Sequence, residues 1–283
     1  MSIHINGDSQ TKVEEIHKLE EIIAGLRVNI EHQNSDLEAI VQERTKSLID
    51  LIATKDRFLN IITHELRNPF NTILGFVSLL QENYRSYDNE TVERFLNMIY
   101  RSTIITFDLL TNLLDWLNVK NNKMPYNPDN INVYELVTEE MHNSIVTAEN
   151  KQIVLKNLVP ENLYAYSDKN MVKTIFRNLL ANAIKFSEKD SEVSIFAIDA
   201  GRFIEITVKD NGAGLSLEFI EKIFNIEGLQ ATKGTEGEPG TGFGLILCKQ
   251  FVEIEGGEIW IESVLGQGSA FKFTLPKDTL EFM

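Results

Sequence analysis

Four clusters of residues in this chain have types and spacings that chemistry uses. The first is Phe58-Leu-Asn-Ile-Ile-Thr-His-Glu-Leu-Arg-Asn-Pro69. Leu59, Ile62 and Leu66 recur three and four apart, which places them on one face of a helix. His64 lies two residues beyond Ile62, about 200° further round, so it points away from that stripe. An imidazole beside a carboxylate, His64 next to Glu65, is a nucleophile with a base at hand. The same pair is also what an ordinary solvated helix face carries. Pro69 has no N–H, which bends the helix and leaves the carbonyl one turn back, at Glu65, without its usual donor.

The second cluster is Asn178-Leu-Leu-Ala-Asn-Ala-Ile-Lys-Phe186. Asn178 and Asn182 are four apart and share a helix face with Lys185, while Leu179, Leu180 and Ile184 lie on the buried side. Two amides on an otherwise apolar helix need partners. A hard cation such as Mg²⁺ takes oxygen ligands and keeps several waters, so it can be one partner, and backbone groups are the other choice. The third, Val208-Lys-Asp-Asn-Gly-Ala-Gly-Leu215, sets Asp210 where a strand leaves a sheet. Gly212 and Gly214 there let backbone approach a ligand closely. The fourth, Gly240-Thr-Gly-Phe-Gly-Leu245, opens a helix, and amides at a helix amino end suit phosphate. Taken singly, either glycine run is equally a plain turn.

The elements that must hold these clusters are legible from periodicity. From Val13 to Phe58 there is no proline and one glycine, Gly25. Ile16, Leu19, Ile23, Leu26 and Ile30 alternate spacings of three and four, the seam of a coiled coil; a single amphipathic helix packed on a globular body would carry the same stripe, and the length and the charge on the other faces favour the two-stranded coil. Gln33 takes the next seam position. The rhythm shifts between Leu37 and Val41 and resumes at Leu48, a phase change that locally unwinds a coiled coil. A second helix over about 91–118 carries Val92, Phe95, Ile99, Leu109, Leu110, Leu113 and Leu117 on its apolar face. The polar turn 84–90 joins the two as an antiparallel hairpin, and two hairpins bury their stripes together as a four-helix bundle. The Asn-rich stretch 119–132, with Pro125 and Pro128, reads as a linker. Beyond it, helical patterns at 133–149, 169–186, 216–224 and 243–256 alternate with strand-like runs at 153–158, 193–198, 203–208, 258–263 and 270–275. This predicts an α/β sandwich of about three helices on a mixed sheet. The expected organisation is a mobile leader (1–12), a coiled-coil signalling helix (13–54), a dimerisation hairpin (55–118), the linker (119–132), a ligand-binding domain (133–277) and a tail (278–283).

Composition removes several functions. The net charge is −15, which repels phosphate backbones and anionic membrane surfaces alike, so nucleic-acid binding is not expected. The one cysteine, Cys248, excludes an internal disulfide and reads as a small core residue on a helix. No run of about 18 apolar residues is present, so no membrane segment is predicted. The first residues lack the basic and apolar regions of a signal peptide, and the expected location is cytoplasmic.

The order of the four clusters resembles the sensor histidine kinases of two-component systems: His-Glu on a helix, an Asn box, Asp-x-Gly-x-Gly, then Gly-x-Gly-x-Gly. The stretch Gly256 to Pro276 resembles the last two strands of the same family, and the likeness runs from about Lys55 to Pro276. The resemblance implies a phosphotransfer bundle followed by a domain that binds ATP and Mg²⁺. His64 is then the phosphoacceptor and Glu65 its base, with Asn68 placed to help dephosphorylate the partner. Asn182 would ligate Mg²⁺. Asn178 and Lys185 would lie by the phosphates or their metal. Asp210 would accept the adenine amino group, with Gly212 and Gly214 lining the base and Ser269 supporting Asp210. Gly240, Thr241, Gly242, Gly244 and Leu245 would form the phosphate loop, and Lys233 would reach a phosphate from the lid, about 226–239, unless it is a solvated loop lysine. The implied partners are a second copy of the chain and the receiver domain of a response regulator.

The sequence departs from the family at one point. Ile223-Phe224 is not followed by the second phenylalanine that many members carry, and Phe224 reads equally well as core. Three other functions share parts of the pattern. ATP-driven clamps such as gyrase share the nucleotide fold but lack the upstream His-Glu-x-x-Asn-Pro helix. A decayed scaffold would not retain Asn182, Asp210 and the loop glycines. A net phosphatase acting through Asn68 keeps the fold and changes the output.

Overall fold

The computed structural model describes residues 6–121, 123–225, 234–238 and 242–278. The chain divides into two units, residues 1–59 and 60–283. The first unit is helical over its described length, as the opening part of α1 (Asn6–Asn83). The helix starts within the leader expected to be mobile. Its seam residues Ile23, Leu26, Ile30, Leu37, Leu48 and Ile52 are all exposed in the single chain.

The second unit holds the rest of α1, a short 3-10 turn (Tyr84–Ser86) and α2 (Asn89–Lys120). α2 begins where it does because the Asp88 carboxylate accepts the Thr91 N–H at 2.7 Å, satisfying one of the free donors of the first turn. Phe95 stacks on Phe76 (5.0 Å between centroids) and meets Tyr87 edge-on (5.3 Å), which closes the turn end of the hairpin. Ile62 and Leu109 are buried, but Phe70, Leu74, Leu96, Tyr100, Phe107 and Leu114 remain exposed.

The α/β body follows. A five-stranded sheet has the order β2 (Val154–Asn157), β4 (Glu192–Ala200), β5 (Phe203–Asp210), β7 (Gly268–Pro276), β6 (Ile259–Val264). Only the β2–β4 pair is parallel. Helices α3 (Val133–Asn150), α4 (Lys169–Phe186) and α6 (Phe243–Ile254) pack with it around one core. α4 contributes Met171, Val172, Ile175, Phe176, Leu179, Leu180 and Ala183 at helical spacing, all buried, and Phe176 meets Phe273 of β7 at 5.6 Å. Cys248 is fully buried in α6, as a core residue. Trp116, Val119 and Met124 pack on the same core, which seats the end of α2 against this domain. No helix among the described residues is long and apolar enough to cross a membrane.

Two differences from the pattern-based reading concern secondary structure. Residues 128–132 form β1 (Pro128–Asn132), which pairs antiparallel with β3 (Tyr164–Asp168), so part of the predicted linker belongs to a two-stranded sheet. Both strands are short, and β1 holds mostly turn-type residues, which hid the pairing. The helix expected over 216–224 is a single turn, α5 (Leu217–Ile220), continued by tight turns. Phe219, Ile220, Ile223 and Phe224 all pack on the core, so contact there does not by itself extend the helix.

A buried polar network ties the linker to two helices. Glu255, which ends α6, is fully buried. It accepts the Asp168 N–H (2.9 Å) and the Tyr126 hydroxyl (3.1 Å). Asp168 caps α4 through the N–H groups of Asn170 and Met171 and accepts the Asn127 N–H. Burial pushes the Glu255 carboxyl up to about 7, with the charge of Asp168 adding and the two hydrogen bonds opposing. The folded chain therefore holds this proton more tightly than the unfolded one does. The corresponding stability is fully present below the ordinary glutamate pKa and is lost as pH rises through about 7. Thermal melts of wild type and Glu255→Gln between about pH 5 and pH 8 test this. The wild type should lose on the order of 3 kcal/mol across the window. The variant, neutral throughout, should lose much less; parallel curves would show that Glu255 is not the titrating group.

Candidate active site

The site residues expected from the sequence stand on α4, at the end of β5 and at the start of α6. α4 presents Asn178, Asn182 and Lys185. The Asn178 amide donates to Thr174 O at 2.9 Å, and its Oδ1 lies 2.5 Å from where a Cβ on Gly244 would stand. Asn178 thus fills the contact between α4 and α6. Asn182 is half-buried, and its carboxamide makes no hydrogen bond among the described residues. It is an amide with oxygen available to a ligand. Lys185 is half-buried, with its ammonium 4.7 Å from the centre of the Phe186 ring. Burial lowers its pKa to about 8, opposed by Glu238 and assisted by the charge of Lys151.

Asp210 ends β5, between Val193 of β4 and Ser269 of β7. Its carboxylate is buried. Oδ1 accepts the N–H groups of Gly212 (2.9 Å) and Ser269 (3.1 Å), while Oδ2 accepts none among the described residues. Burial raises its pKa against the lowering effect of those two donors. A fixed carboxylate with one oxygen tied and the other open is an acceptor for an amino group. Ser269 supports Asp210 through its backbone N–H, because its hydroxyl is shared with Ser263 Oγ at 3.0 Å. Ser263 also accepts the Leu215 N–H and donates to Gly268 O, so it braces the loop after Asp210. Pattern reading missed Ser263; its register opposite Ser269 across a Gly-x-Gly hairpin was the available signal.

The glycines serve the protein first. A Cβ on Gly212 would collide with the Phe186 carbonyl, and one on Gly214 (φ +66°) with the Val264 carbonyl. Gly242 caps α6 in the left-handed region, φ 73°. Leu245 is buried in the core. Phe224 packs on the core as well. Lys233, Gly240 and Thr241 lie outside the described residues.

His64 is exposed on α1, and Glu65 beside it is half-buried. Burial raises the Glu65 pKa, with His64 opposing, which makes the carboxylate a better proton acceptor than an exposed one. Asn68 is exposed one turn further along, and Thr72 donates to its backbone carbonyl.

Two family models match. The His Kinase A (phospho-acceptor) domain matches residues 54–118, and the Histidine kinase-, DNA gyrase B-, and HSP90-like ATPase matches residues 167–279. The chain belongs to the two-component histidine kinases. Among its relatives is the sensor protein KdpD of Clostridium acetobutylicum, 31% identical over 238 residues that cover 84% of this chain and 26% of KdpD. The adaptive-response sensory-kinase SasA of Prochlorococcus marinus is 28% identical, covering 84% of this chain and 62% of SasA. The kinase therefore spans only part of the length of these relatives. Two solved structures share its fold: the histidine kinase AdeS of Acinetobacter baumannii (TM-score 0.61, 18% identity, 76% of this chain and 98% of that one) and the histidine kinase ThkA in complex with the response regulator protein TrrA (TM-score 0.58, 24% identity, 77% and 60%).

The residues present fit an adenine nucleotide with Mg²⁺. Asn182 has oxygen to offer a metal, and Asp210 has one open carboxylate oxygen inside a buried wall.

The glycine contacts give a direct test. Gly212→Ala should destabilise the kinase by about 2–4 kcal/mol with no nucleotide present, because backbone must move. Gly75→Ala, in open space on a helix, should be neutral or stabilising by up to about 1 kcal/mol. Denaturant titration of both variants reads the contrast, and equal midpoints would refute the backbone-contact argument.

Proposed function

We propose that this chain transfers the γ-phosphoryl group of ATP to His64 and then to an aspartate in the receiver domain of a response regulator, working as a homodimer. The observation that carries the reading is Asp210: a buried carboxylate at the end of β5, held by two amides on one oxygen and open on the other. That arrangement suits the amino edge of adenine, and the open amide of Asn182 suits the metal that accompanies its phosphates.

In this mechanism Asp210 orients the base, and Asn178 holds the seat of α6 against α4. Lys185 and the amino end of α6 offset charge on the phosphates. Asn182 would hold Mg²⁺ when the ion is bound, and the ion would supply further charge neutralisation. Glu65 accepts one ring N–H of His64 and so fixes its tautomer. The other ring nitrogen attacks phosphorus, the bond to the ADP oxygen breaks, and the ring proton passes to Glu65. The product is phosphohistidine and ADP. Exposure of His64 leaves it open first to the nucleotide domain and then to a receiver domain. The exposed stripes on α1 and α2 are the surface that a second copy would cover. ThkA with TrrA is a kinase of this fold in complex with a regulator, which supports the same class of partner here. Asn68, on the face of His64 and exposed, supports a second output, removal of phosphate from the regulator.

Incubation with γ-labelled ATP and Mg²⁺ tests the reading. Wild type should take acid-labile, base-stable label, and His64→Gln should take none. A wild-type chain that binds ATP but takes no label would defeat it. Glu65→Gln should slow labelling by about a hundredfold or more at unchanged KM for ATP, the usual worth of a positioned base. Labelling by the glutamine variant at the wild-type rate would remove Glu65 from the reaction.

A further inference from the structure

One charged side chain beside the pocket is buried with all of its donors engaged. Lys151, the residue that ends α3, is 3% exposed. Its ammonium donates to the carbonyls of Ile184 (3.0 Å) and Lys185 (2.7 Å) and to Glu238 Oε1 (2.6 Å). An ammonium has three donors, and this one uses three. Two of them satisfy carbonyls in the last turn of α4, where no helical N–H remains to do so and a positive charge is favoured. The third reaches a segment far away in sequence.

That segment, residues 234–238, is folded against the end of α4. Gly234 N–H donates to Glu238 O (2.8 Å), Gly237 turns the chain at φ +80°, and Glu238 Oε2 accepts the Glu236 N–H (2.8 Å). Thr235 donates its N–H to Lys185 O (3.2 Å) and its hydroxyl to Ser187 O (2.8 Å). A Cβ on Gly234 would stand 2.6 Å from Lys185 Cγ, so the approach is close enough to require glycine. Burial acts to raise the Glu238 pKa, but the bond from Lys151 and the amide donors outweigh it and hold the carboxyl below its ordinary value. Glu238 lies four residues before Gly242, the amino cap of α6. The Lys151–Glu238 pair therefore joins the Lys185 end of α4 to the chain that leads into α6.

We propose that Lys151 and Glu238 are positioning residues for the nucleotide. The pair holds the segment entering α6 at one place on α4, so that the Asn182–Lys185 turn and the amino end of α6 face the phosphates in a single geometry. Neither side chain touches the nucleotide. The proposal rests on the ATP reading above.

The whole chain serves for the test, as wild type, Glu238→Gln, Lys151→Met and the double variant. Calorimetric titration with Mg·ADP reads affinity, labelling of His64 reads KM and kcat for ATP, and thermal melts read the fold. Glu238→Gln should raise the ADP Kd and the ATP KM about tenfold, the size of one charge-assisted hydrogen bond, with kcat nearly unchanged and a lowered thermal midpoint, because the buried Lys151 ammonium loses its counter-charge. Lys151→Met should do the same, with its loss of midpoint coming from the lost cap of α4 and not from an unpaired charge. The double variant should bind no more weakly than Lys151→Met, since both changes break one link. Unchanged Kd and KM in folded Glu238→Gln would reduce Lys151 to a helix cap and overturn the proposal, as would additive losses in the double variant. A wild-type chain that binds no ADP would overturn the ATP reading, and this proposal with it.

Discussion

The rest of the nucleotide domain depends on how α4 is held at both ends. A helix leaves four N–H groups and four carbonyls without internal partners, and a helix that carries ligand groups must satisfy them without covering those groups. Asp168 takes two of the donors at the amino end. Lys151 takes two of the acceptors at the other end. Both capping residues are themselves buried and held by more distant groups, Asp168 by Asn127 and Lys151 by Glu238. Between the caps one face of α4 is sealed into the core, and Asn178, Asn182 and Lys185 stand on the face left over. The helix cannot slide or rotate without leaving buried charge unpaired, a cost of several kcal/mol. In the proposed mechanism, this lets the flexible Asn182 amide offer its oxygen at a defined place.

Conditions at the two ends of the reaction differ in a way that suits the chemistry. Asp210 and Lys151 are buried and tied by short bonds, which is the environment of a rigid binding wall. His64 is exposed, on a hairpin whose apolar residues are only partly covered within one chain. In the proposed reaction His64 meets two different domains in turn and so cannot be enclosed by either. The half-buried position of Glu65 is the compromise: buried enough to raise its basicity, exposed enough to reach the ring beside it.

Periodicity made most of the architecture legible. The α4 pattern matched its helix to the residue, because eight apolar positions at a period of 3.6 leave no other solution. The strands β4, β5 and β7 were visible for the matching reason, alternation against a helix layer. β1 and β3 were not, because a two-stranded ribbon needs no apolar run, and Pro128, Asp129 and Asn130 look like a turn when read alone. In the site, Asn182 and Asp210 were legible because their types contradict their surroundings: an open amide on an apolar helix and a carboxylate inside a sheet. Lys151, Glu238 and Ser263 were not. Each is an ordinary residue in its own segment, and its role comes from a partner many residues away that only the fold supplies.

The glycines have a reason to be glycine that motif reading did not supply. Gly212, Gly214 and Gly244 suggested close approach to a ligand. In the structure, the place of each missing Cβ is taken by protein: the Phe186 carbonyl, the Val264 carbonyl and the Asn178 amide. Each contact joins the two elements whose juncture makes the pocket, α4 to the loop after β5, that loop to the β6–β7 hairpin, and α6 to α4. The absence of a side chain at each position is what lets these elements close on one another. Folding and binding therefore place the same demand on these positions. A substitution there removes the pocket's frame before it removes any contact to a nucleotide.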